Sequence, residues 1–129
     1  ALPKNIQDDL NDAMDKTKDY TGLTLNLAIN YGGRDEIVRG IRKIAEKGIK
    51  PEDITENLVR QNLDMEGCPD VDLLIRTGGE FRLSNFLLWH VAYAEMVFTD
   101  TLWPDYTEEE FLNNLKSFGN RNRRFGKEK

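Results

Sequence analysis

The sequence is short of several groups from which small proteins often build their sites. It has one cysteine, Cys68, which excludes an internal disulfide framework and a thiolate zinc cluster and is in keeping with a reducing compartment. It has one histidine, His90, which argues against a histidine-based metal centre or a Ser-His-Asp triad. No apolar run approaches the roughly 20 residues that a transmembrane helix needs. Neither a GxGxxG fingerprint nor a Walker sequence occurs, so nothing singles out nucleotide binding. Internal repeats, low-complexity tracts and Gly/Ser linkers are also lacking.

What is present is a globular composition. The 129 residues are 39% hydrophobic and 32% charged, which suits one modest domain. Ala1 stands first instead of methionine, which initiator removal or a cut from something longer would each explain.

Charge is unevenly placed. Lys116, Arg121, Arg123, Arg124, Lys127 and Lys129 face one acid, Glu128, so the last 14 residues carry +5. With a net charge of −5, the preceding residues carry −10. A basic tail reads as a solvated terminus, a nucleic-acid arm or an arm reaching a small anion. An acidic body argues against a broad nucleic-acid surface, because phosphate binding needs a basic face.

Periodicity gives an alternating order of elements. Ile6, Leu10, Ala13 and Met14 fall at helical spacing. Leu23, Leu25, Leu27 and Ile29 alternate with Thr24, Asn26 and Ala28, a strand pattern that Tyr31-Gly32-Gly33 breaks. Ile37, Val38, Ile41, Ile44 and Ala45 form the apolar stripe of a helix closed by Gly48. Pro51 and Thr55 introduce another helix with Leu58, Val59 and Leu63. Val71 to Ile75 predicts a buried strand, and Met96 to Phe98 predicts a third. Between them, Ser84 is placed to cap a helix over Phe86 to Ala94, apolar on almost every face and so expected to be buried. Thr107 and Glu110 form a capping box before Phe111, Leu112, Leu115 and Phe118. The expectation is an α/β fold, a mainly parallel sheet of three strands flanked by helices. Three strands are few, as if residues 1–129 were the second part of a larger domain.

Ligands of open α/β sheets bind beyond the carboxyl ends of the strands. Two such ends carry glycines here, Asn30-Tyr31-Gly32-Gly33-Arg34 and Arg76-Thr77-Gly78-Gly79-Glu80. Glycines let backbone N–H groups approach an anion. Arg76, Arg82 and Ser84 add guanidinium forks and a hydroxyl, so the second loop is a candidate diphosphate site. An ordinary strand-end turn with surface arginines is the competing reading. Glu95 opens a strand, where a carboxylate needs a partner. It is either a Mg²⁺ ligand acting with substrate phosphates or a partner for a nearby arginine. His90 reads as a core or interface residue, Cys68 as inert, and Trp89, Trp103, Phe111 and Phe118 as core. The stretch from Phe86 to Phe98 could instead mark a subunit interface.

The segment DLLIRTGGEFRLSNFLLWHVAYAEMVFTDTLWPDY, residues 72–106, resembles the signature region of cis-prenyltransferases of the undecaprenyl diphosphate synthase type. GLTLNLAINYGGRDEI is similar to that family's preceding region and RNRRFG to its terminal one. The resemblance runs from Gly22 to Gly126. It implies condensation of isopentenyl diphosphate with an allylic, farnesyl-like diphosphate to a long polyprenyl (undecaprenyl) diphosphate, a lipid carrier for the cell wall. By the same resemblance, Arg76, Arg82 and Ser84 hold isopentenyl diphosphate, Glu95 binds Mg²⁺, and Arg124 and Gly126 reach across a homodimer to the partner's substrate site. Asn30 and Arg34 would shape the site, and Phe81 replaces a histidine found in some bacterial members. A cytoplasmic enzyme whose product partitions to membrane is implied, with no nucleic-acid partner.

The family's amino-terminal signature, DGNGRWA-like, carries the metal-binding aspartate of the allylic site and does not occur here. The expectation is therefore the C-terminal half of one domain, with no catalytic residue of its own and inactive alone because the N-terminal half is missing. The alternative is a non-catalytic partner subunit or truncated interaction module of a prenyltransferase complex.

Overall fold

The computed structural model describes residues 2–121. Arg124 and Gly126 therefore lie outside the described residues. The chain divides into two units, Ala1–Tyr31 and Gly32–Lys129.

In the first unit, helix α1 spans Lys4–Thr17, as the spacing of Ile6, Leu10 and Met14 predicts. It buries none of its residues. Thr17 Oγ1 donates to Ala13 O at 2.9 Å, and Tyr20 N donates to Thr17 O at 3.0 Å as the helix ends. The alternating segment that follows is not a strand. Leu23 is 95% exposed and Leu25 74%, and residues 22–29 carry no regular secondary structure. Alternation fixes which side chains share a face, but a strand exists only when a neighbour completes its ladder of hydrogen bonds. Among the described residues no segment does so.

The second unit opens with α2, Gly33–Glu46. Its carboxyl end has the expected chemistry: Gly48 takes a left-handed φ of 64° and donates to Ala45 O at 3.0 Å. A short 3-10 turn at Pro51–Asp53 precedes α3, Glu56–Arg60, whose cap Thr55 accepts from Leu58 N. Helix α2 meets the segment after α3 at Gly40, where an added Cβ would lie 2.9 Å from Leu63 Cδ2. Polar groups fasten the same contact. Glu36 Oε1, fully buried, accepts from Asp64 N at 3.0 Å, and Lys47 Nζ donates to Asn62 Oδ1 at 2.7 Å. Arg39 bridges Asp35 and Asp64, and the hydrogen bond to Asp64 is the first cause of its raised proton affinity.

Strand β1, Leu73–Arg76, pairs parallel with β2, Glu95–Phe98, in the register Leu73↔Glu95 through Arg76↔Phe98. Among the described residues the sheet is parallel as expected but has two strands, not three. Ile44, Leu63, Leu74 and Val91 are its buried apolar core, joined by His90.

The expected helix over Phe86 to Ala94 is absent as well. Ser84, Asn85 and Leu87 have φ of 49°, 64° and 44°, which a right-handed helix cannot contain. The segment instead runs through successive turns, with Phe86 N on Leu83 O, His90 N on Leu87 O and Ala94 N on Val91 O. Only His90 and Val91 are buried in it. Helix α4, Glu108–Gly119, starts at Thr107, which accepts from Glu110 N at 3.2 Å. Trp103 is 75% exposed and Phe111 42%, so neither is the core residue that its spacing predicts.

Candidate functional site

Arg76 is the last residue of β1, at the carboxyl end where a ligand of a parallel sheet is expected. Its Nη1 donates to Arg82 O at 2.7 Å and to Ser84 Oγ at 2.9 Å. Of the three residues that the sequence nominates for diphosphate, Arg76 thus meets Ser84 by its side chain and Arg82 by its backbone. These bonds occupy Nη1 alone, leaving Nε and Nη2 of Arg76 as donors. Arg82 is 62% exposed at its side chain and pairs with Glu80. A cavity of about 270 Å³ opens beside them, lined by Leu74, Ile75, Arg76, Thr77, Arg82, Leu83 and Phe86. Cationic groups and apolar walls meet in one recess.

The glycines of the loop serve the fold. Gly78 and Gly79 have φ of 87° and 73°, and their N–H groups donate to Thr101 O at 2.8 Å and Thr99 O at 2.9 Å. The other glycine loop is used likewise. Gly33 N donates to Asn85 O at 2.7 Å and Arg34 N to Asn85 Oδ1 at 2.9 Å. These four amides hold loops in place and are not available to a ligand. Asn85 is the residue that sequence reasoning missed. Its signal was available: asparagine is among the few residues that enter the left-handed region readily, and it sits beside Ser84.

Glu95 stands apart from this cluster. In the register it faces Leu73, three positions before the pair that contains Arg76, or roughly 10 Å along the strands. Glu95 Oε2 accepts from Arg121 Nη1 at 2.9 Å, and Arg121 also reaches Met96 O at 3.3 Å. Glu95 thus has an arginine partner. Among the described residues, no group of three His, Cys, Asp or Glu is arranged to hold a metal ion.

Of the remaining candidates, Asn30 has φ of 53°, and Arg34 meets Asn85 through its backbone. Phe81 is 75% exposed, with its ring 5.4 Å from that of Phe98. His90 is buried, with Nε2 3.7 Å from Glu36 Oε1 and Nδ1 3.9 Å from Asp70 Oδ1. It lies inside the fold and not in the cavity, as a core residue. A second cavity of about 390 Å³ touches the same end of β1 through Ile75 and Thr77 and is walled by Trp103, Tyr106 and Phe111.

The chain matches the undecaprenyl diphosphate synthase family of prenyltransferases over residues 1–126. It is 54% identical over 114 residues to the ditrans,polycis-undecaprenyl-diphosphate synthase ((2E,6E)-farnesyl-diphosphate specific) of Escherichia coli, covering 85% of this chain and 45% of that protein. It is 52% identical over 126 residues to the isoprenyl transferase of Treponema denticola, covering 98% of this chain and 55% of the relative. Among solved structures, lavandulyl diphosphate synthase from Lavandula x intermedia in complex with dimethylallyl diphosphate is similar with a TM-score of 0.92 and 42% identity, covering 98% of this chain and 56% of that one. A probable undecaprenyl diphosphate synthase from Campylobacter jejuni is similar with a TM-score of 0.85 and 44% identity, covering 98% and 58%. The chain spans about half the length of the curated relatives it matches.

Proposed function

This chain belongs to the undecaprenyl diphosphate synthase family of cis-prenyltransferases, and on that premise we propose that it supplies the isopentenyl diphosphate side of the family's condensation. The observation that carries the reading is that Arg76, held by Ser84 Oγ and the backbone carbonyl of Arg82, lines a partly apolar cavity together with Arg82. Isopentenyl diphosphate has an anionic head and a small hydrocarbon body, and the cavity offers both kinds of wall.

In the reaction, the alkene of isopentenyl diphosphate attacks the first carbon of an allylic diphosphate. A carbon–carbon bond forms as the allylic carbon–oxygen bond breaks, inorganic diphosphate leaves with the electron pair, and a proton is lost from the isopentenyl unit. Alkene and allylic carbon must be held in line, so a fixed diphosphate on the nucleophile contributes orientation. Arg76 is suited to this because two acceptors hold Nη1 while Nε and Nη2 remain. The pair of Arg82 with Glu80 is exposed, and such pairs contribute about 0–1 kcal/mol. A diphosphate with greater charge can therefore displace Glu80 at little cost. The relative from Escherichia coli is described as specific for (2E,6E)-farnesyl diphosphate, which supports a farnesyl-like allylic partner for the complete enzyme.

The whole of the family's activity is not assigned to this chain alone. It covers 45% and 55% of two curated relatives, which supports its reading as half of a domain, and the absence of a DGNGRWA-like segment supports the C-terminal half. A homodimer, a cytoplasmic location and the Arg124 and Gly126 cross-dimer contact stay with that proposal. No helix among the described residues is long and apolar enough to cross a membrane.

The substitution Arg76→Lys tests the reading. It keeps the charge but loses the fork that reaches Arg82 O, Ser84 Oγ and a ligand together. Calorimetric titration with isopentenyl diphosphate is expected to show about tenfold weaker binding, the loss of roughly one charge-assisted hydrogen bond. Unchanged affinity would refute the clamp.

A further inference from the structure

We infer that Asn85 is the positioning residue of the diphosphate clamp, locking the Arg76–Ser84 hydrogen bond onto the amino end of α2. The inference rests on the proposed isopentenyl diphosphate site and deepens it.

Helix α2 begins without a cap of its own, since Gly32 has no side chain to offer. The first amides of a helix lack intrahelical acceptors and need some other partner. Asn85 supplies it from 51 residues further along the chain: its backbone carbonyl takes Gly33 N–H and its side-chain carbonyl takes Arg34 N–H. One residue therefore satisfies two consecutive amides.

The glycine pair fits the same purpose. A Cβ on Gly32 would lie 2.9 Å from Asn85 Nδ2, and one on Gly33 would lie 3.1 Å from Asn85 O and 3.0 Å from Leu88 N. The two glycines leave the room that the turn at Asn85 occupies. Ser84 and Asn85 both hold positive φ, at 49° and 64°. Serine enters that region at a cost, so the turn needs an external restraint. Docking of Asn85 on α2 provides it.

The consequence reaches Arg76. Ser84 Oγ accepts from Arg76 Nη1 at 2.9 Å only while the backbone at Ser84 keeps this turn. Releasing Asn85 removes the restraint, and Arg76 loses one of the two acceptors that aim it. Asn85 lines neither cavity described above and acts through Ser84.

The test uses the full chain with two readouts. The first is titration with isopentenyl diphosphate and with inorganic diphosphate. Asn85→Ala is expected to weaken both by about tenfold, and Asn85→Asp, which keeps an acceptor and tolerates the turn, to restore affinity to within about twofold. In a Ser84→Ala background, Asn85→Ala should add less than about twofold, because the two act in series. The second readout is NMR of the Arg76 guanidinium without ligand, where Asn85→Ala should remove the Nη1 proton signal that reports the bond to Ser84 Oγ and leave the one that reports the bond to Arg82 O. Wild-type binding with an unaltered Asn85→Ala variant overturns the inference while leaving the site intact. A tenfold loss that persists in the Ser84→Ala background overturns it too, by showing a general structural effect. If the wild-type chain binds no diphosphate, the function reading fails, and the Arg76 signal alone decides whether Asn85 positions that side chain.

Discussion

Arg76 could be picked out in the sequence because a guanidinium beside glycines at a strand end has few common uses. Its neighbours Arg82 and Ser84 were legible for the same reason, and the hydrogen bonds of Arg76 join all three. The left-handed turn at Asn85 had a signal in the residue type, but its docking on α2 had none, because the partner amide lies 51 residues away. Glu95 was legible only as a carboxylate that needs a partner. Its pairing with Arg121 depends on where α4 delivers the chain after Gly119. Gly33 allows a further check at this scale. An alanine there sets its Cβ 3.0 Å from a backbone nitrogen, which cannot yield as a flexible side chain does. Gly33→Ala is expected to destabilise the docking of α2 by about 1–3 kcal/mol. Amide hydrogen exchange at the start of α2 should accelerate accordingly, and unchanged exchange would contradict the contact.

The elements divide by the kind of information that makes them. Helices α1, α2 and α4 rest on spacing within one stretch of chain, to which α4 adds its own cap, and each was legible. The stretch from Leu23 to Ile29 has a strand's alternation, but strand pairing is a property of two segments. Residues 86–94 failed for a different reason: an apolar run satisfies a helix as well as a chain of turns, and the φ values that decide between them leave little trace in hydropathy. At α4 the capping box was half right. Thr107 caps Glu110 N, but Glu110 Oε1 turns away to accept from Thr99 Oγ1 at 2.6 Å and Thr101 Oγ1 at 3.1 Å. It ties α4 to the segment whose carbonyls hold Gly78 and Gly79. Glu110→Ala should therefore cost about 1–3 kcal/mol, more than the roughly 1 kcal/mol expected of Thr107→Ala. Hydrogen exchange at the Gly78 and Gly79 amides would show the difference, and equal effects of the two variants would contradict the tie.

At the scale of the molecule, the described residues bury few apolar side chains: Ile44, Leu63, Leu74 and Val91. Leu23, Leu25, Leu27, Tyr93 and Trp103 are among the apolar side chains that remain exposed. Together with coverage of about half of each relative, this supports the reading of the chain as half of a domain. The turnover prediction belongs here. With isopentenyl diphosphate, farnesyl diphosphate and Mg²⁺, the chain alone should incorporate no radiolabel into longer products, because only one diphosphate cluster is assigned to it. Incorporation would show that the chain carries the allylic site as well. The central claim, that Arg76 anchors an isopentenyl diphosphate site, is tested most directly by equilibrium dialysis of the chain against labelled isopentenyl diphosphate. The account predicts saturable binding that inorganic diphosphate competes away and that Arg76→Ala weakens by about ten- to a hundredfold. Absence of saturable binding, or binding that survives Arg76→Ala undiminished, would contradict it.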